Sequence, residues 1–170
     1  MCDRLHALGF KVLLWVCPMV SPDSWEYRNE LFNELRNERE HRNDCGVLMD
    51  TVRPGRVALF QWWNGYSTIV DFSAPVGMGW LRAQLGRLEK DYGVDGFKFD
   101  GPGLTTYSRE RFAAHDPAAA NPAAQTHLYN TLTRDFPLHE SSKIWNCGGQ
   151  PIVRRLSDKN HKWRDLRGCV

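Results

Sequence analysis

Short apolar runs alternate with longer mixed segments along the chain, and this alternation limits the possible folds more than any other feature of the sequence. Residues 11–17 (KVLLWVC) and 94–100 (VDGFKFD) are the clearest candidates for strands. A near-continuous apolar run is typical of a strand that is covered on both faces, as in a parallel sheet. Two shorter strands are predicted at residues 143–146 and 152–156. The sequence therefore predicts an α/β fold built from βα units.

Helical patterns occupy the segments between these strands. A polar helix is predicted at residues 25–42, and apolar side chains recur at helical spacing between Pro75 and Gly93. A further helix is predicted at residues 124–134, whereas residues 53–75 are rich in aromatic and turn residues without a clear period. Four strands with intervening helices predict a partial (β/α)8 TIM-type barrel with about half its strands, because a closed barrel typically takes ~250 residues.

Charge and hydropathy argue against several classes of partner. The formal net charge is only +2, and the basic residues at positions 28–42 are mixed with glutamates, so this segment is interpreted as a solvated helix face and no nucleic-acid partner is expected. The longest apolar run, residues 12–20, contains Pro18 and is too short for a membrane span, which needs ~20 residues. No signal peptide is visible, which favours a cytoplasmic location.

The cysteines predict neither a metal site nor a disulfide framework. There are five of them, they are far apart, and no two form a CxxC pair. Reduced thiols are the simplest interpretation, and no metal or organic cofactor is expected. The five are Cys2, Cys17, Cys45, Cys147 and Cys169.

Two aspartates follow predicted strands and are the candidate catalytic residues. Asp100 ends one apolar run and precedes a Gly-Pro-Gly turn. The alternative interpretation is structural, in which Asp100 only caps this turn. Asp158 follows the predicted strand at 152–156, and its alternative is a loop carboxylate paired with Lys159. Active-site residues of β/α barrels project from the carboxyl ends of strands, so both side chains are expected to point into one pocket.

A pair of carboxylates is what glycoside hydrolysis requires. One attacks the anomeric carbon, and the other first protonates the leaving oxygen and later deprotonates water, with the two groups ~5–5.5 Å apart in the retaining reaction. The acid has to stay protonated near neutral pH, which needs a desolvated or negatively charged neighbourhood. Tryptophans such as Trp62 and Trp63 can stack on sugar rings or belong to the barrel core, and for Trp62 the core interpretation is favoured.

Four blocks in order along the chain carry a family resemblance. They are residues 9–24 (GFKVLLWVCPMVSPDS), 62–75 (WWNGYSTIVDFSAP), 93–100 (GVDGFKFD) and 150–159 (QPIVRRLSDK). Together they resemble family 31 of the glycoside hydrolases, and above all its α-galactosidase-like branch. The resemblance implies a retaining α-glycosidase acting on α-galactosides or α-glucosides, with residues 1–170 as one incomplete catalytic barrel that lacks the first two and last two strands.

The same resemblance implies roles for individual residues. Asp100 falls on the nucleophile and Asp158 on the acid/base. Trp63 matches an aromatic side chain that lines the subsite of the cleaved sugar, and Lys98 would hydrogen-bond sugar hydroxyls. Arg155 is a further substrate contact, unless it forms a structural ion pair.

Two other functions remain open at this point. The chain has Ser142 or a neighbour where relatives usually carry arginine, and Gly103 where they usually carry an acidic residue, so a non-catalytic carbohydrate-binding remnant is one alternative. A small α/β interaction domain with accidental motif matches is the other. The expected partner is an oligosaccharide or glycoside, and self-association through exposed barrel edges is predicted for an open half-barrel.

Overall fold

A four-stranded parallel sheet forms the centre of the computed structural model, which describes residues 1–31, 45–53, 55–108, 111–142 and 154–155. Its strands, in order across the sheet, are β1 (Leu13–Val16), β6 (Gly96–Phe99), β8 (His139–Ser142) and β9 (Arg154–Arg155). The register pairs Trp15 with Lys98 and Ser142 with Arg155. The described part of this sheet is open.

The helices begin and end where local chemistry favours it. Helix α1 spans Cys2–Ala7, α2 spans Pro75–Tyr92, α3 spans Leu104–Tyr107 and α4 spans Pro122–Thr133. Helix α2 starts with a proline in its first turn and ends at Gly93, whose φ of 65° is left-handed, as expected for a glycine C-cap. Asn121 caps α4 by accepting a hydrogen bond from the Ala124 N–H at 2.9 Å. The helices predicted after Pro75 and at residues 124–134 are confirmed.

Short antiparallel strands cover the carboxyl end of the parallel sheet. Strands β2 (Met19–Val20), β4 (Phe60–Trp62) and β5 (Gly65–Ile69) form one sheet in the order β2-β5-β4. Strands β3 (Met49–Asp50) and β7 (Phe112–Ala113) form another pair. The hairpin of β4 and β5 lies in the segment for which the sequence showed no clear period.

The core consists of two groups of buried side chains. Phe97 and Phe99 alternate inward from β6 and pack with Tyr129 and Leu132 of α4 and with Leu85 of α2. The second group lies beneath the hairpin and contains Leu48, Ala58, Phe60, Ile69, Tyr107 and Phe112. Because side chains alternate along a strand, burial of Phe97 and Phe99 leaves Lys98 on the other face of the sheet.

Some sequence predictions differ from the structure. The strand at His139–Ser142 precedes the one predicted at 143–146, which lies outside the described residues. Strand β9 lies within the predicted 152–156 strand. Of the polar helix predicted at 25–42, the described part contains a π-helical turn at Tyr27–Leu31. A 3-10 turn, Pro117–Ala119, also occurs.

The described residues also bear on two other expectations, the state of the cysteines and the absence of a membrane span. Cys2, Cys17 and Cys45 are in no disulfide bond, while the other two cysteines lie outside this part of the chain. In the described ranges, no helix combines the length and hydropathy that a membrane crossing requires.

Asp95 joins the start of β6 to the N-terminal part of the chain. Its carboxylate accepts hydrogen bonds from the Val12 backbone N–H at 2.8 Å and from the Lys11 ammonium at 2.9 Å, and it lies 2.7 Å from the His6 ring nitrogen Nε2. These contacts, the Val12 N–H foremost, hold the pKa of Asp95 well below its ordinary value. The folded state therefore favours the ionised carboxylate more than the unfolded chain does.

We expect the Asp95→Asn variant to have a lower Tm than the wild type at pH 7. The lowered pKa stabilises the fold at pH values above the ordinary pKa of Asp, ~3.9, and this contribution is lost as the pH falls further. The difference in Tm should therefore shrink below about pH 4.

Thermal unfolding followed by circular dichroism between pH 3 and pH 8 measures this difference in Tm. Asp91→Asn, at an exposed site near the end of α2, is the matched control and should change Tm little. An Asp95 variant that matched this control would contradict the prediction.

Candidate active site

Asp100 directly follows β6, at the carboxyl end of the parallel sheet. Its backbone N–H donates to the Val16 carbonyl oxygen at 2.8 Å and so continues the pairing of β6 with β1. Side chains alternate along an extended strand, so Asp100 is on the same side as Lys98. The buried Phe97 and Phe99 are on the opposite side. The Asp100 side chain therefore lies on the face of the sheet that the helices do not cover.

Donors from two parts of the chain hold the Asp100 carboxylate. The Trp15 indole Nε1–H donates to Oδ2 at 3.0 Å, and the Gly101 backbone N–H donates to Oδ1 at 2.8 Å. The Tyr129 hydroxyl of α4 donates to the Asp100 backbone carbonyl at 3.3 Å. Trp15 reaches the carboxylate because β1 and β6 are neighbours and their register puts Trp15 beside Lys98. The carboxylate is thus fixed in position and in rotation.

A cavity of about 190 Å³ opens beside this carboxylate. It lies between the end of the parallel sheet, the β2-β5-β4 sheet and the loop after β6. Aromatic and small side chains dominate its wall, which suits a ligand with both apolar faces and polar edges. The lining residues are Trp15, Cys17, Met19, Trp62, Trp63, Asp100, Gly101, Pro102, Gly103 and Thr106.

The two neighbouring tryptophans of the hairpin occupy different depths in this wall. Trp62 is half-buried, and its indole N–H donates to the Ser67 hydroxyl at 3.0 Å. Trp63 is 79% exposed and its ring centroid lies 5.1 Å from that of Trp62. Trp63 therefore forms the rim of the cavity. The core interpretation favoured for Trp62 differs from the structure, in which this half-buried side chain lines the cavity.

The structure brings only part of the predicted site together. Within the described residues, Trp63 and Asp100 line one cavity, whereas Lys98 lies before Asp100 on β6 and does not line it. Arg155 belongs to β9, which β8 separates from β6, and its side chain lies outside the described part of the structure. Asp158 also lies outside the described residues. The predicted pairing of two carboxylates, and the roles of all five residues, stay predictions.

Trp15 and Cys17 are site residues that the sequence reasoning did not single out. Every second side chain of a strand lies on the same face, so Trp15 and Cys17 are on one face of β1 and its extension, together with Leu13. This alternation in the sequence could have identified both as site residues. Burial raises the pKa of the Cys17 thiol; the Met19 backbone N–H opposes this shift and the Asp100 charge adds to it. Cys17 therefore presents a protonated thiol to the cavity at neutral pH.

Metal ligation finds no support in the described part of the chain. No three His, Cys, Asp or Glu side chains there are grouped closely enough to hold a metal ion. The described cavity offers one oriented carboxylate, aromatic walls and a neutral thiol.

The chain is similar to glycosidases over nearly its whole length. A family model for the glycosyl hydrolases family 31 TIM-barrel domain matches residues 1–159. The myogenesis-regulating glycosidase of Mus musculus is 32% identical over 165 residues, which cover 96% of this chain and 21% of that protein. The cycloalternan-degrading enzyme from Trueperella pyogenes has the same fold over 98% of this chain and 24% of its own, with a TM-score of 0.64 and 22% identity.

A structure of the Trueperella pyogenes enzyme in complex with a covalent intermediate is also similar, with a TM-score of 0.55 and 24% identity over 82% of this chain and 20% of that chain. The chain thus spans between a fifth and a quarter of the length of these relatives. The open parallel sheet and the family match confirm the predicted partial TIM-type barrel. The chain belongs to glycosyl hydrolase family 31 and carries part of the TIM-barrel domain of that family.

Proposed function

We propose that this chain carries the catalytic centre of a retaining α-glycosidase and that Asp100 is its nucleophile. The observation that carries the proposal is the position of the Asp100 carboxylate, at the end of a parallel strand and in the wall of an aromatic-lined cavity. Barrel enzymes place their catalytic groups at this end of the sheet. The covalent intermediate bound by the Trueperella pyogenes enzyme is consistent with nucleophilic catalysis in a protein of the same fold.

In the proposed reaction, Asp158 first protonates the glycosidic oxygen while an Asp100 oxygen attacks the anomeric carbon. The bond to the leaving sugar or alcohol breaks as the ester bond to Asp100 forms. Asp158, now ionised, then removes a proton from water, and the resulting oxygen displaces Asp100 from the anomeric carbon. Two displacements at one carbon retain the anomeric configuration.

The proposed substrate is an α-galactoside or an α-glucoside. Trp63, at the rim of the cavity, would stack on an apolar face of the sugar, and its large exposed fraction leaves the ring accessible for this contact. Lys98 and Arg155 would donate hydrogen bonds to sugar hydroxyls. This assignment gives Trp63 a role in substrate affinity, so Trp63→Ala should raise KM more than it lowers kcat.

Covalent trapping tests the proposal most directly. The full chain is incubated with an α-galacto- or α-gluco-configured cyclitol epoxide, which a nucleophilic carboxylate opens to form a stable ester. Mass spectrometry of the intact chain and of its peptides then locates the ester. We expect one added reagent per chain, attached to Asp100, and no addition to Asp100→Asn. Asp91→Asn is the matched control, because it removes an exposed carboxylate away from the cavity, and it should be labelled like the wild type.

The same samples separate the enzyme from its alternatives. Chromogenic α-galactosides and α-glucosides measure turnover, and NMR of the first product shows whether the α-anomer is retained. A label on a different carboxylate would refute the role of Asp100. Sugar-dependent quenching of tryptophan fluorescence without labelling or turnover would favour the carbohydrate-binding remnant, and the absence of all three signals would refute the proposed catalytic function of this chain.

A further inference from the structure

Trp15 contacts the candidate nucleophile directly, although its own strand carries no catalytic group. We propose that Trp15 is a positioning residue for Asp100 and that its indole N–H favours the free carboxylate over the glycosyl ester; this inference rests on the proposed function. The contact joins neighbouring strands, with the Trp15 Nε1–H donating to the Asp100 Oδ2 at 3.0 Å. An indole N–H is a donor only, so this contact requires an acceptor lone pair on that oxygen.

The other described contacts of Asp100 involve its own backbone or the adjacent residue, whereas Trp15 contacts the carboxylate from a neighbouring strand. The backbone is held by the Val16 carbonyl, which accepts from the Asp100 N–H, and by the Tyr129 hydroxyl. Oδ1 accepts from the adjacent Gly101 N–H at 2.8 Å, a donor that moves with the same loop. The indole comes from β1 and therefore ties the carboxylate plane to the sheet. Trp15 is 46% exposed and lines the cavity, so one indole both holds Asp100 and forms the cavity wall.

The charge on Asp100 changes during the reaction, so the hydrogen bond from the Trp15 indole changes the rates of ester formation and ester hydrolysis. Hydrogen bonds to an ionised acceptor are about twice as strong as those to a neutral one. When the bond between the Asp100 oxygen and the anomeric carbon forms, the carboxylate loses its charge to the leaving oxygen, which takes the proton of the acid. When water breaks that bond, the electron pair returns to Asp100. The indole N–H therefore assists the departure of Asp100 more than its attack.

The test compares Trp15→Phe, which keeps an aromatic ring and removes the N–H, with Trp25→Phe. Trp25 is 63% exposed and does not line the cavity, so it is the matched control. With an activated aryl α-glycoside we expect Trp15→Phe to retain a pre-steady-state burst while kcat falls about 10- to 100-fold, the effect of one hydrogen bond to a charged group. KM should fall with kcat, because the ester accumulates. Trp25→Phe should behave like the wild type.

If Trp15→Phe raised KM and left kcat unchanged, the inference would be overturned, because Trp15 would then contribute only to substrate binding. Equal losses in ester formation and ester hydrolysis would overturn the preference for the free carboxylate.

A spectroscopic measurement tests the contact without any turnover. In ¹⁵N-labelled chain, the Trp15 indole N–H signal is the one that Trp15→Phe removes. We expect this signal to shift with pH in the wild type and to stop shifting in Asp100→Asn. An indole signal that does not titrate overturns the inference even where Asp100 is labelled by the epoxide. A titrating signal in a chain whose Asp100 is never labelled refutes the proposed function instead, and leaves Trp15 as a structural partner of that carboxylate.

Discussion

Replacing Gly96 with alanine is expected to unfold the chain or to destabilise it by about 3 kcal/mol or more, the upper end of the overpacking range. A Cβ atom at this position would overlap the Leu138 carbonyl oxygen. That oxygen cannot move aside cheaply, because it accepts the Phe97 N–H at 3.1 Å and so begins the pairing of β6 with β8. Since Asp100 directly follows β6, the candidate site should be lost with the strand pairing.

Urea unfolding followed by circular dichroism and tryptophan fluorescence measures this effect. Gly79→Ala is the matched control: Gly79 lies on the exposed face of α2, and nothing lies within 4 Å of the added methyl group. Alanine favours helix over glycine by up to ~1 kcal/mol, so the control should be neutral or more stable than the wild type. If Gly96→Ala had the same free energy of unfolding as the wild type, the close approach of β6 and β8 would be refuted.

The second large effect is expected for Gln125→Glu, in a buried polar network that joins α4 to the segment between β5 and α2. Gln125 is fully buried; its amide nitrogen donates to the Asp71 carboxylate at 3.0 Å and to the Ala119 carbonyl at 3.1 Å. Its amide oxygen accepts the Phe72 N–H at 3.0 Å. This side chain therefore joins the start of α2 to the loop before α4. Asp71 is also held by the Ser73 N–H and hydroxyl and by the His115 N–H.

The glutamate substitution keeps the shape of the side chain and replaces a donor with a second buried carboxyl. Repulsion by Asp71 and burial both disfavour ionisation, so the pKa of the introduced carboxyl should lie above the ordinary value of about 4.3. The folded variant then binds a proton that the unfolded chain releases, and its stability falls as the pH rises past that value. We expect a loss of about 3–5 kcal/mol at pH 7, as for other uncompensated buried charges, and a smaller loss near pH 4.

Unfolding free energies of variant and wild type, measured in parallel from pH 4 to pH 8, check this expectation. Gln61→Glu makes the same chemical change at an exposed position of β4, where water solvates the charge, and should lose much less stability than Gln125→Glu at pH 7. A pH-independent difference for Gln125→Glu would show that the loss comes from packing and not from charge.

The elements that the sequence predicted well are those with local signals. The apolar run containing β1, the proline and glycine that bound α2, and the asparagine cap of α4 all act within a few residues. Asp100 was predicted at a strand end for the same reason, since an apolar run stops there and a glycine turn follows. The β4–β5 hairpin was missed because its aromatic residues follow no regular alternation.

The chain's own sequence thus determined the α/β class, the family resemblance and the candidate nucleophile, because each follows from local patterns and from their order along the chain. Tertiary structure decided which side chains meet. Trp15 reaches Asp100 because β1 pairs with β6, and Gln125 reaches Asp71 because the start of α4 lies against the segment between β5 and α2. Strand register and helix docking follow from the free energy of burying the whole core, to which no short stretch of sequence contributes alone.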